Sequence, residues 1–247
     1  MTMNQAVAKL GQYLKSSENV VFFGGAGVST ESGIPDFRSA SGLYSTSTGH
    51  SFPPEYMLSH SCFVDHPRDF FDFYRNNMLY PRALPNACHL ALAELERLGH
   101  LQAVITQNID GLHQAAGSTN VLELHGSVHR NYCTHCFRSY PLQTILDQDY
   151  PSCECGGVIK PDVVLYEEGL DEDTIAKSLD AITNADVLIV GGTSLNVYPA
   201  AGLVRYYRGQ RLILINKSET PMDHLAHLVI REPLGEVFSS AMQVVRA

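Results

Sequence analysis

The sequence predicts an α/β fold, a parallel sheet with helices on both faces, interrupted by a small inserted module. Three observations lead there. Short apolar runs alternate with amphipathic stretches along the chain. One of these runs ends in Gly24-Gly25-Ala26-Gly27, as a buried strand entering a tight turn does. Between 125 and 161 the alternation stops, and four cysteines appear among turn residues with little periodicity.

The elements follow in order. Ala6, Val7, Leu10, Tyr13 and Leu14 fall at helical spacing and predict an opening helix. Residues 19–23 predict the first strand. The stretch 41–85 is rich in Ser, Pro, His and aromatic residues. Within it Phe70, Phe71, Phe73 and Tyr74 suggest an aromatic helix face, which reads most simply as core. Ala91, Leu92, Leu95 and Leu98 mark an amphipathic helix over 85–98, stopped by Gly99. Strands are predicted at 101–106, 186–190 and 211–215, the last two each preceded by a helical stretch. No internal repeat or low-complexity segment is present.

Composition narrows the function classes. At 247 residues the chain can bury a full core without disulfides. A hydrophobic fraction of 45% against 17% charged residues excludes a disordered, solvated chain. The net charge of -9 lacks the basic footprint of a phosphate-backbone binder, so no direct nucleic-acid binding is expected. No apolar run reaches the roughly 18–20 residues of a membrane helix. Residues 1–14 lack the charged-then-apolar order of a signal peptide, so the expectation is a cytoplasmic protein without a membrane partner.

In a reducing compartment, clustered cysteines read as metal ligands before disulfides. Cys133-x2-Cys136 and Cys153-x-Cys155 form two close pairs and predict a structural Zn2+ tetrathiolate. The second pair is one residue shorter than the commonest spacing. His135 is a fallback ligand. A redox Cys-x-x-Cys is the competing reading, but it leaves the second pair without a purpose. Cys62 and Cys88 have no partner motif and read as packed thiols.

The glycine turn carries the next chemistry. In Gly25-Ala26-Gly27-Val28-Ser29-Thr30 the glycines let a backbone approach a pyrophosphate, and the amides can donate to it. A tight turn with no ligand remains the alternative. The run departs from the dinucleotide fingerprint, because Thr30 stands where a third Gly or Ala belongs. No Asp or Glu occurs between Asp36 and Glu55 either, so a hydride-transferring dehydrogenase is disfavoured. Asp36, Phe37 and Arg38 follow Pro35 and offer an aromatic wall and a cation beside the turn. Gln107, Asn108 and Asp110 lie just past a strand's end, where α/β sheets place ligands, and suit a carboxamide. His125, before Gly126, is either a structural histidine or a general base.

Together the run over 25–39, then Thr106-Gln107-Asn108-Ile109-Asp110-Gly111-Leu112-His113, then Glu123-Leu124-His125-Gly126 resembles the sirtuins. These are the Sir2 family of NAD-dependent protein deacylases, here of bacterial type, and the resemblance spans about 20–216. It implies a Rossmann-like NAD-binding domain from 1–40, 86–126 and 162–247, a helical module over 41–85 and a zinc-binding module over 127–161. It implies NAD as co-substrate, structural Zn2+, and acetyl-lysine peptides of other proteins as partners. The products would be nicotinamide, deacylated lysine and O-acetyl-ADP-ribose.

Roles are implied residue by residue. His125 and Asn108 are the catalytic pair, His125 deprotonating a ribose hydroxyl. His89 and His113 are weaker candidates for the base, and the resemblance places His113 near the cofactor pocket. Cofactor contacts fall on Gly25, Ala26, Gly27, Thr30, Asp36, Phe37, Arg38, Gln107, Asn108, Ile109 and Asp110. Further contacts fall on Gly192, Thr193, Ser194, Asn216 and Ile230. Val164, Tyr166 and Val197 are implied for the substrate peptide, and Cys133, Cys136, Cys153 and Cys155 for the metal. The chain departs from the family pattern at Tyr166-Glu167-Glu168, where Phe-Gly-Glu is usual. Sirtuins that prefer acidic acyl groups share a Tyr-x-x-Arg pair. Here Tyr74 is followed three on by Asn77, and Tyr80 by Ala83, which implies acetyl over succinyl. A mono-ADP-ribosyltransferase and a non-catalytic NAD or acyl-lysine binding module are the alternatives. Retention of His125 and Asn108 argues against the second.

Overall fold

The computed structural model describes residues 2–37, 39, 42–45 and 52–247. Arg38, expected at the cofactor, lies outside the described residues.

The chain opens with α1 (Met3–Lys15), started by a capping box between Thr2 and Gln5, and runs into β1 (Val20–Gly24). After the glycine turn come α2 (Pro54–Met57), α3 (His60–Asp65) and α4 (Pro67–Asn77). Then α5 (Ala87–Arg97), capped by Asn86, leads through Gly99 at φ +82 into β2 (Leu101–Thr106). Short α6 (Leu112–Ala115) precedes β3 (Val121–Glu123). The cysteine-bearing insert contains β4 (Gly126–Cys133), β5 (Ser139–Tyr140), α7 (Leu142–Asp147) and β6 (Ile159–Val163). The chain returns through α8 (Glu172–Asn184), β7 (Val187–Gly191), β8 (Leu212–Ile215), β9 (Leu228–Ile230) and α9 (Leu234–Arg246).

Six of these strands form a parallel sheet in the order β3-β2-β1-β7-β8-β9. The chain builds outward from β1 to β3, then crosses back to lay β7 on β1's other side. Connections therefore diverge at the C-terminal ends of β1 and β7, which is where such sheets bind ligands. Every residue of β1 and β7 is buried, because both faces are covered. Val20, Phe22, Val187 and Ile189 face α1, α5 and α9, while Val21, Phe23, Leu188 and Val190 face the α8 side. In α1 the buried face is Ala6, Val7, Leu10, Gly11 and Leu14. Gly11 takes a core place because α9 crosses there, and a Cβ would stand 2.6 Å from that of Val244. The stretch before β8 is a 3-10 helix, Ala200–Tyr206.

The insert forms a second sheet, antiparallel, in the order β5-β4-β6. Its core is continuous with that of the helical stretch. Phe63, Phe70, Phe71, Phe73 and Tyr74 share one apolar cluster with Val128, Ile145, Ile159, Cys133 and Cys153. The aromatic face predicted over 70–74 is the buried side of α4. Among the described residues no helix is long and apolar enough to cross a membrane.

Candidate active site

Two glycine loops interlock at the divergence point. The Gly25 amide donates to the Gly191 carbonyl at 3.1 Å, and the Gly27 amide to the Gly192 carbonyl at 2.8 Å. A Cβ on Gly25 would stand 2.7 Å from Cβ of Thr193, and one on Gly27 would stand 2.8 Å from Cα of Gly192. Gly192 itself, at φ +60, leaves no room for a side chain against Val28. The glycines are thus required first by the contact between the loops. Their own amides are spent, whereas among the described residues those of Ala26, Thr193 and Ser194 meet no acceptor. Unspent amides on converging loops are the donors an anion needs, so the residues fit a pyrophosphate. Thr30 turns its hydroxyl onto the Gly27 carbonyl at 3.0 Å and closes the turn. The Asp36 carboxylate accepts the Ser39 amide at 2.8 Å, and the Phe37 ring meets Tyr44 edge-on, 5.6 Å between centroids.

The loop leaving β2 ties in from the other side. The side-chain amide of Asn108 donates to the Gly25 carbonyl and to Ser29 Oγ, each at 3.1 Å. Ser29 Oγ donates in turn to Asp110 Oδ2 at 2.6 Å, and Gln107 Nε2 donates to Thr193 Oγ1 at 3.1 Å. Ile109 packs against the apolar cluster of the small modules and accepts the Val128 amide through its carbonyl. Sequence reasoning did not single out Ser29, yet this buried hydroxyl joins Asn108 to Asp110. Its only sequence signal is its place in the turn, two residues past Gly27.

His125 stands between the two sheets. Its carbonyl accepts the Val164 amide, and the Leu124 amide bonds the Thr106 carbonyl. Its Nδ1 lies 2.8 Å from the Gln107 carbonyl, a group that can only accept. Nδ1 therefore carries the hydrogen, and Nε2 keeps its lone pair. Burial lowers the pKa below the ordinary 6.5, with the Gln107 bond pulling partly back, so the ring is neutral near pH 7. His89 and His113 are buried as a pair behind this region, 4.7 Å between centroids.

The Asn216 amide bonds the Ile230 carbonyl, and its side chain donates to the Ser218 carbonyl at 2.8 Å. Arg231 fixes that loop by donating to the carbonyls of Asn216 and Ser218 and by pairing with Asp223. The Ile230 side chain is buried with Ile215 and Leu234 in the core. Val197 is half-buried, and Tyr166 is 40% exposed with its hydroxyl on that of Tyr44. A polar groove of about 460 Å³, lined by Asn19, Gln102, Asn120 and Asn184 among others, lies at the opposite end of the strands.

The four cysteines come together, their sulfurs all within 4.8 Å of one another. Cys133 and Cys155 are 3.4 Å apart, and Cys136 and Cys153 3.6 Å. Thiolates about 2.3 Å from one tetrahedral ion sit about 3.8 Å apart, so the set fits Zn2+. The amide of Cys155 and the hydroxyl of Tyr140 lower the Cys153 thiol, while the neighbouring sulfurs push the Cys155 thiol up. His135 supplies a backbone amide to Cys133 Sγ and is absent from the cluster of donor side chains.

Residues 25–199 match the model of the Sir2 family. An NAD-dependent protein deacetylase of Clostridium acetobutylicum is 56% identical over 245 residues, covering 98% of this chain and 100% of the relative. A solved complex of Sir2 with a p53 peptide and NAD+ is 37% identical, has a TM-score of 0.83 and covers 98% of both chains. A Sir2 variant with a deacetylated p53 peptide and 3′-O-acetyl-ADP-ribose is 36% identical, has a TM-score of 0.86 and also covers 98% of both.

Proposed function

The chain belongs to the Sir2 family, and on that premise we propose that it works as an NAD-dependent protein-lysine deacetylase. It turns over acetyl-lysine peptides and releases nicotinamide, deacylated lysine and O-acetyl-ADP-ribose. NAD supplies the electrophilic ribose carbon and the ADP-ribose that receives the acyl group. The chain's own residues bind, orient and move a proton. The sheet domain of 1–40, 86–126 and 162–247 holds the cofactor. The modules over 41–85 and 127–161 close the peptide cleft against it.

The unspent amides of Ala26, Thr193 and Ser194 take the pyrophosphate. Asn108 and Asp110, locked by Ser29, present a fixed carboxamide and carboxylate to the nicotinamide amide. The observation that carries the reading is the bond between His125 Nδ1 and the Gln107 carbonyl. It aims a neutral Nε2 as the acceptor for a ribose hydroxyl proton. The metal is structural, because four thiolates leave no open coordination position. A cytoplasmic location, with no nucleic-acid partner, completes the proposal, and the lack of that partner rests on the net charge of -9.

The test is nicotinamide release with and without an acetyl-lysine peptide. Release that needs the peptide and falls about 10²–10⁴-fold in H125A supports the reading. ADP-ribose label left on protein supports transfer instead, and no turnover in either chain supports a binding module. Acetyl is expected to turn over faster than succinyl. Tyr74 is buried in the core, and the Asn77 side chain is spent on the Phe73 carbonyl, so neither is placed to meet a carboxylate. Faster desuccinylation of the same peptide sequence would refute that preference.

A further inference from the structure

Glu167 holds φ +76, a left-handed conformation that glycine adopts freely and a glutamate does not. The backbone around it is heavily spent. The Val164 amide goes to the His125 carbonyl, and the Leu165 amide goes to Glu168 Oε2. Tyr166 donates to the Leu58 carbonyl and accepts the His60 amide. Glu167 is different, since neither its N–H nor its C=O has a partner among the described residues. Its carboxylate, by contrast, is tightly engaged. One oxygen accepts the Ser61 amide at 2.9 Å and the Ser61 hydroxyl at 2.7 Å, in the first turn of α3. These bonds hold the carboxyl below its usual range. Its neighbour Glu168 bridges Lys160 at 3.0 Å and His60 at 2.9 Å. Substrate-side and helical-module segments are thus clasped together at one residue with an open peptide edge.

We propose that Glu167 is a positioning residue for the acetyl-lysine peptide, its carboxylate on Ser61 locking a left-handed backbone whose N–H and C=O pair with the peptide main chain. This rests on the deacetylase reading for the identity of the peptide. The lock acts through the backbone, so the residue's charge is secondary to its acceptor.

The test is the affinity of a fluorescent acetyl-lysine peptide by anisotropy, alongside turnover. E167A, which loses the lock and disfavours the conformation, binds about tenfold more weakly, while NAD KM and kcat at saturating peptide move less than about twofold. E167G, free to take φ +76 but without the carboxylate, binds about three- to fivefold more weakly. E167Q, which keeps an acceptor for the Ser61 amide, recovers most of the loss. Parent-like or tighter binding by E167G overturns the proposal, because strain rather than locking would then be the only effect. Weakening by E167Q equal to that by E167A, and salt-dependent, also overturns it, since the charge would then act on the peptide directly. A parent chain that binds the peptide without turning it over sinks the deacetylase reading and leaves the affinity series to decide the lock.

Discussion

A buried imidazole without hydrogen-bond partners is held neutral, because a charge there would lose its water and gain nothing. His113 is in that position, with neither ring nitrogen partnered, and His89 leaves Nε2 unpartnered beside it. Burial pulls His113 from 6.5 to about 3, with His89 adding to the fall. It pulls His89 to about 4 against a partial upward push from Asp110. The folded state therefore binds fewer protons than the unfolded chain at acid pH. Stability from the pair is complete above about 6.5 and is lost as pH falls toward about 4. The thermal midpoint of the parent is expected to drop between pH 7 and 5. H113F, of similar volume with nothing to titrate there, should drop less, and an unchanged slope would refute the assignment. The same physics governs His125. Its pKa is lowered by burial, so turnover is flat through pH 7–8 and declines only below the ordinary histidine range as Nε2 protonates. An inflection of kcat above pH 7 would contradict this. Nothing in the sequence pairs His89 with His113, because only the packing of α5 on α6 brings their rings together.

At the scale of elements, the two glycine loops set how closely β1 and β7 can end. G27A places a Cβ 2.8 Å from backbone, where no side chain can yield. The expected result is about 1–3 kcal/mol of lost stability. A rise in NAD KM should accompany it, because the unspent amides move apart. Parent-like values in both thermal melts and NAD titration would show that the loops can relax. Much of this layer was legible beforehand. β1 announced itself because a strand buried on both faces is an unbroken apolar run, β2 because its apolar residues are interrupted only at the exposed Gln102, and α5 because one face is apolar and Gly99 ends it. β9 has only three residues and depends on β8 for its pairing, so it carries no periodic signal of its own. Glu167 was visible as a departure from Phe-Gly-Glu. Its consequence was not, because the compensating partner Ser61 lies far back in the helical stretch.

For the whole molecule, the decisive fact is that the helical stretch and the cysteine insert share one core. The sequence shows two separate segments, and nothing local says that Phe70 and Ile159 belong to one cluster. Cys133 and Cys153 are buried in that same cluster, whereas Cys136 and Cys155 face solvent. Four clustered thiolates without a cation repel one another, so removing the metal loosens β4 and β6. Loosening must spread to α3 and α4, which have no other core to fold on. The sheet domain has its own two clusters on either face of β1 and β7, and neither includes a cysteine of the insert. Chelation is therefore expected to raise amide exchange in α3 and α4 together with β4 and β6, while β1 and β7 stay protected. Peptide affinity should fall before NAD binding does, because the clasp at Glu167 ties onto α3 in the loosened part, whereas the glycine loops after β1 and β7 rest on the sheet domain's own clusters. Exchange confined to 126–163 would show instead that the insert can unfold alone, and that the shared core is a contact surface between two independent units.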